Sequence, residues 1–253
     1  MNILQTLILS VVEGLTEFLP ISSTGHLVLA AKLLAISQNT FTKTFEISIQ
    51  SGAILAAIIL YWKVLAFDRN VLKRIIISFI PTGIVGLIAY KVIKDSFLGN
   101  LNLTLASLFV GGIVIILFER YFQKNKGKLK IKDLSLKRSF LLGLIQSISV
   151  IPGVSRAAAT IIGGEYLGLE RKASVEFSFL LAIPTLLAAT GYDLIKNIHE
   201  FNSSEIGTLA IGFLGSFIAA YLTIKWFLAF VKNSNLTLFG IYRIIVSIVF
   251  FLF

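Results

Sequence analysis

Two segments of this chain are apolar enough to enter a membrane yet are broken near the middle by proline and serine. They are residues 3–35, broken at Pro20 to Ser23, and residues 139–168, broken at Pro152 to Ser155. A helix cannot run through such a break without giving up backbone hydrogen bonds, and a bilayer core holds no water to replace them. Each segment is therefore expected to form two half-helices that dip in and return on the same side. The irregular tips must then line a protein or water cavity. The other long apolar runs, at about 44–63, 72–91, 101–122, 173–195, 206–231 and 236–253, read as six spans.

Composition agrees with an all-α polytopic membrane protein. The 253 residues are 56% hydrophobic and 14% charged, with a mean hydropathy of +0.88. Those values are too apolar for an ordinary soluble domain. A formal net charge of +10 would suit nucleic acid, but the lysines cluster between apolar runs, as cytoplasmic loops do, so no nucleic-acid partner is expected. With no cysteine, disulfide and thiolate chemistry are excluded. Nothing basic precedes Lys32, so no cleavable signal peptide is expected.

The basic loops set an orientation. Residues 124–138 carry Lys124, Lys126, Lys128, Lys130, Lys132, Lys137 and Arg138, and residues 63–74 carry Lys63, Arg69, Lys73 and Arg74. Both read as cytoplasmic. Residues 193–205 carry Asp193, Glu200 and Glu205 against one lysine and read as external. Threading these constraints puts both termini outside, with six spans and two re-entrant hairpins, the first entering from outside and the second from inside.

That opposition suggests an inverted repeat within one membrane domain, 1–253. The first repeat is 1–123, the basic cytoplasmic loop is 124–138, and the second repeat is 139–253. Pro20 and Ser23 match Pro152 and Ser155 at an offset of 132, and Lys43 to Glu46 resembles Ala173 to Glu176 at an offset of 130. Halves with an odd number of spans insert in opposite senses, which would bring the two hairpin tips together near the midplane.

The tips carry the polar chemistry. Glu13 and Glu17 lie about 6 Å apart along one helix face. Two such carboxylates repel unless a proton or cation lies between them, and a hard divalent ion fits that role beside phosphate oxygens. The competing reading is a pair of acids facing water. Ser22, Ser23 and Thr24 can cap the second half-helix or bind an anion there. His26 can serve as general base, nucleophile or hydrogen-bond donor, or be satisfied in the core. Arg156 needs an anion, either a phosphate or a carboxylate of Glu13 or Glu17. Gly153 permits close approach of backbone, and Ser155 and Thr160 add donors. Gln146, Glu46, Gln50 and Glu176 read as supporting groups. The set suits phosphoryl transfer, in which positioning and charge neutralisation do most of the work. A site at membrane depth implies a phosphate carried on a lipid.

Glu13-Gly-Leu-Thr-Glu17-Phe-Leu-Pro-Ile-Ser-Ser-Thr-Gly-His26 and Pro152-Gly-Val-Ser-Arg156-Ala-Ala-Ala-Thr160 resemble the two signature motifs of the bacterial undecaprenyl-pyrophosphate phosphatases of the bacitracin-resistance type. Lys43 to Gln50 and Glu176-Phe-Ser-Phe also resemble segments of that family, and the likeness covers essentially the whole chain. One departure is Ala157, where the family usually has a serine after the arginine.

The resemblance implies an integral membrane enzyme that removes the terminal phosphate of undecaprenyl diphosphate. The monophosphate carrier is thereby recycled for cell-wall synthesis, with bacitracin resistance as a consequence. It further implies a divalent cation, Mg²⁺ or Ca²⁺, held by Glu13 and Glu17. The site would face the extracytoplasmic side of the plasma (inner) membrane. Arg156, Ser155, Thr160, Ser22 and Gly153 would bind the diphosphate, and Ser23, His26, Glu17 and Arg156 would carry catalysis. Attack by Ser23, by His26 or by water stays open at this point, as does a homodimer. The rival class is a transporter or flippase of an anionic prenyl lipid.

Overall fold

A computed structural model describes residues 1–37, 40–92, 97, 100–122, 127–196 and 205–252. Among them the chain is helical, and the only β-pairing is a single bridge between Leu129 and Leu169. The helices are α1 (Ile3–Thr16), α2 (Ser23–Leu33), α3 (Thr40–Phe67), α4 (Arg69–Val92) and α5 (Leu101–Phe122). They continue as α6 (Leu136–Gln146), α7 (Arg156–Tyr166), α8 (Arg171–Lys196), α9 (Ile206–Phe230) and α10 (Thr237–Leu252). Five of the described helices, α3, α4, α5, α8 and α9, are long and apolar enough to cross a membrane. The sixth expected span falls on α10, which is apolar but has 16 residues.

Both expected breaks are present. Helix α1 ends at Thr16 and α2 begins at Ser23. Helix α6 ends at Gln146, a 3-10 turn covers Ser147–Val150, and α7 begins at Arg156. The expected charged loop at 63–74 is different: only Asp68 separates α3 from α4. Its carboxylate accepts from the Val71 amide at 3.0 Å, so it caps α4 and the basic residues lie on helix ends. Lys124, Lys126 and Glu200 of the other two loops, and the side chains of Lys43 and Asp193, lie outside the described residues.

The two half-helix pairs share one backbone design at an offset of 133. Asn2 caps α1 and Ser135 caps α6. Ser22 caps α2 at φ 72° and Ser155 caps α7 at φ 70°. Both second half-helices run for 11 residues. They close with matching turns, in which Ile36 N donates to Ala31 O and Leu169 N to Gly164 O. Matching by residue identity pairs Ser23 with Ser155. The backbone instead pairs Ser22 with Ser155 and Ser23 with Arg156.

Packing repeats in the same way, with α1 against α9 and α6 against α4. Both contacts need a glycine. A Cβ on Gly14 would lie 2.6 Å from Ala219 Cβ and 2.8 Å from Ala220 N; one on Gly143 would lie 2.8 Å from the Ser78 carbonyl carbon. Hydroxyls then stitch the helices together: Ser216 Oγ donates to Ile49 O and Ser78 Oγ to Ser139 O, each at 2.6 Å. The main apolar cluster takes in Phe18, Leu19 and Ile21 of the first break together with Ile54, Phe179, Ile224 and Phe227. Away from the breaks, Arg171 forks onto Glu165 at 3.0 and 3.1 Å and reaches Glu119 at 2.8 Å. Glu119 in turn accepts from the Leu236 amide at 2.9 Å, which ties α5, α7 and α8 to the start of α10.

Gly14→Leu should therefore force α1 off α9 and cost about 1–3 kcal/mol, the usual penalty of overpacking. Thermal unfolding in detergent should show a lower midpoint. Gly86→Ala, where an added Cβ meets nothing within 4 Å, should leave the midpoint unchanged or slightly raised.

Candidate active site

The two irregular tips meet, and a single arginine holds them together. Arg243, in the apolar run of α10, is fully buried. Its guanidinium donates to Pro20 O at 3.2 Å in the first break. In the second it donates to Gly153 O at 2.8 Å and Val154 O at 3.2 Å. It also donates to Ser107 O at 3.1 Å and Leu108 O at 3.2 Å on α5. Carbonyls in a break between half-helices lack a helical donor, and a five-donor guanidinium supplies one. Gly153 adopts φ +90°, and a Cβ there would lie 2.8 Å from Ser107 Cβ. The role of Gly153 is thus to let the second tip lie on α5.

The N-terminal residues of the two returning half-helices converge on Glu17. The Ser23 hydroxyl donates to Glu17 Oε2. Arg156 NH2 pairs with Glu17 Oε1 at 3.1 Å and with the Glu17 carbonyl at 3.1 Å. Glu17 and Ser23 are buried at 6% and 7% exposure. The arginine is braced from behind. Its NH1 donates to Ser178 O at 2.8 Å, Ser178 Oγ lies 2.6 Å from Thr160 Oγ1, and the guanidinium carbon lies 5.8 Å from the centre of the Phe18 ring. Arg156 Nε is buried without a partner, which leaves one unsatisfied N–H beside Glu17.

Glu13, one turn before Glu17, is fully buried, and neither of its carboxylate oxygens has a hydrogen-bond partner. An orphaned carboxylate at this depth calls for a cation or a proton. Among the described residues no group of three or more His, Cys, Asp or Glu side chains could hold a metal. A cation held there would draw much of its shell from phosphate oxygens and water, as Mg²⁺ accepts.

The other expected residues fall around this centre. Ser22 and Ser155 are caps, accepting from Gly25 N at 3.4 Å and Ala158 N at 3.2 Å. Thr160 turns toward α8 and supports Ser178. Ala157 packs into the main apolar cluster, where a methyl suits the surroundings better than a hydroxyl. Gln146, at the position equivalent to Glu13, donates to Thr82 at 2.8 Å and Thr185 at 3.2 Å. Glu176 pairs with Lys172 at 3.7 Å. His26 does not face Ser23: Nδ1 lies 2.8 Å from Ser22 O and Nε2 lies 2.8 Å from Tyr242 Oη. Sequence reading missed Ser178, Tyr242 and Arg243. Only Arg243 carried a signal, as a lone charge within residues 237–252.

Replacing Arg243 with methionine should strand several buried carbonyls at about 1–3 kcal/mol each. The expected outcome is a loss of at least about 3 kcal/mol, read as a large drop in unfolding midpoint in detergent. Arg243→Lys, with fewer donors and no fork, should recover only part of it.

A family model described as bacitracin resistance protein BacA matches residues 6–249. A protein of Aquifex aeolicus, described as undecaprenyl-diphosphatase, is 52% identical over 252 residues, covering 98% of each chain. Relatives with the same description come from Persephonella marina, 49% identical over 100% of this chain and 99% of the relative, and from Methanococcus aeolicus, 42% identical over the same shares.

Proposed function

Because this chain belongs to the bacitracin resistance protein family, we propose that it hydrolyses undecaprenyl diphosphate to undecaprenyl phosphate and inorganic phosphate, recycling the lipid carrier for cell-wall synthesis and conferring bacitracin resistance. The observation that carries this reading is the Glu17 carboxylate, which accepts the Ser23 hydroxyl on one oxygen and pairs with Arg156 on the other. That is the arrangement of a nucleophile, its base and an anion clamp.

In this mechanism Ser23 Oγ attacks the terminal phosphorus while its proton passes to Glu17. The bond from phosphorus to the bridging oxygen breaks, and undecaprenyl phosphate leaves. Water then attacks the phosphoserine: the proton held by Glu17 returns to Ser23 Oγ as the Oγ–P bond breaks, the water's proton passes to Glu17 and on to solvent, and inorganic phosphate is released. Arg156 presents its free Nε–H to the terminal phosphate. The amides at the start of α2 and α7 add donors where negative charge builds. Both ring nitrogens of His26 are engaged elsewhere, which favours Glu17 over His26 as the base.

Glu13 is the group that would hold a divalent cation, with the Glu17 carboxylate beside it. Such an ion would neutralise charge on the phosphoryl oxygens. Since Glu17 already serves Ser23 and Arg156, Glu13 is the stronger metal ligand of the two.

In the same reading, α10 is the sixth span and the α1–α2 and α6–α7 pairs are re-entrant hairpins of an inverted repeat. The matched caps at an offset of 133 support this. The lysines and arginines at 63–74 and 128–138 put those ends in the cytoplasm. The first hairpin then opens to the extracytoplasmic side of the bacterial plasma membrane, and the prenyl tail lies sideways in lipid. Every residue named here comes from one chain. The relatives' descriptions favour hydrolysis over transport.

Purified protein in detergent, with no gradient, should release phosphate from a long-chain prenyl diphosphate. Ser23→Ala and Glu17→Gln should each lose about 10²–10⁴-fold in kcat, and Arg156→Ala should lose turnover as well. No release from folded protein under any cation would favour the transporter. Removing divalent ions with chelator should abolish turnover, and Mg²⁺ or Ca²⁺ should restore it. Glu13→Gln should raise the cation concentration needed for half-maximal rate.

A further inference from the structure

The ring of His26 is more constrained than a base or nucleophile would be. A carbonyl oxygen can only accept, so the 2.8 Å contact with Ser22 O puts a proton on Nδ1. In the neutral ring Nε2 is then an acceptor, and the Tyr242 hydroxyl donates to it at 2.8 Å. The two rings also stack, with centroids 5.5 Å apart and planes 10° from parallel. Tyr242 is the neighbour of Arg243, so the element that clamps both tips also sets this ring.

The Ser22 carbonyl is the informative partner. Ser22 holds a positive φ of 72° with a side chain present, a conformation that needs support from its surroundings. The carbonyl accepts the His26 amide at 3.2 Å and the His26 ring as well. The second tip is an internal control. There Ser155 O accepts only a backbone amide, from Ala159 at 3.1 Å, and the residue equivalent to His26 is alanine. The same turn therefore forms without an imidazole. The extra donor occurs on the tip whose next residue is the nucleophile.

Resting on the phosphatase reading above, we infer that His26 is a positioning residue: its Nδ1–H pins the Ser22 carbonyl and so aims Ser23 at Glu17, while Tyr242 holds the ring in that tautomer. Displacing a nucleophile by about 1 Å can cost about 100-fold in rate, which is the scale at stake.

Two amides separate this role from acid–base or nucleophilic chemistry. Asparagine can offer an N–H near the position of Nδ1, whereas glutamine offers one near Nε2. His26→Asn should keep kcat within about 10-fold of the parent, and His26→Gln should lose about 100-fold, with KM little changed in both. Tyr242→Phe should lower kcat by about 3–10-fold in the parent, on the scale of one hydrogen bond. It should have no further effect in His26→Asn, because the tyrosine acts only through the imidazole. Equal inactivity of the two amide variants, both folded by thermal unfolding, would overturn the inference. An additive effect of Tyr242→Phe would do the same. Should the variants fail to fold, ¹⁵N NMR of the parent decides. The chain has two histidines, and the His26 signal should report a neutral ring protonated at Nδ1. A proton on Nε2 instead would refute it. Absence of phosphate release from the parent would refute the phosphatase reading and not this geometry.

Discussion

Both helix breaks of this molecule depend on one buried guanidinium. A chain that stops a helix in mid-protein leaves carbonyls that neither water nor the next turn can reach. Here the freed groups of both breaks point at Arg243, which collects Pro20, Gly153 and Val154 on one fork and braces it on two carbonyls of α5. The two tips are thereby held against one another. Their proximity lets Ser23 from one and Arg156 from the other share a single carboxylate.

Much of this was legible in the chain, for a definite reason. Prolines and serines at 20–23 and 152–155 interrupt apolar periodicity, and an interruption is visible without knowing what surrounds it. The uninterrupted helices were located to within a few residues because a hydrophobic run is itself the signal. Glu13, Glu17 and Arg156 stood out because ionic groups among apolar neighbours are costly. What stayed hidden depends on tertiary contact. Nothing in residues 237–252 says that Tyr242 and Arg243 reach over to α2 and both breaks. Ser178 sits in α8 as an ordinary polar residue until Arg156 folds onto its carbonyl.

The repeat shows how identity and geometry can part. Aligning Pro20 and Ser23 with Pro152 and Ser155 is one residue out of register, because the turn is defined by the positive-φ cap and not by the proline. In the backbone register Ser23 corresponds to Arg156, Glu13 to Gln146, and His26 to Ala159. One turn has thus been filled twice with different chemistry. The first copy supplies a serine hydroxyl and two carboxylates, whereas the second supplies a guanidinium and a neutral hydroxyl-lined amide. An identical pair would set two acidic or two basic tips together, and like charges repel.

The two capping serines carry a further consequence. A side chain held at positive φ costs on the order of 1–3 kcal/mol, and the cost is met once, as the chain folds. The direction of the Ser23 hydroxyl and the bearing of Arg156 are thus inherited with the native state and need not be set again. The slow motion left to such a protein belongs to its greasy cargo: a long tail that must slide in from the bilayer, dock its head and slide out again.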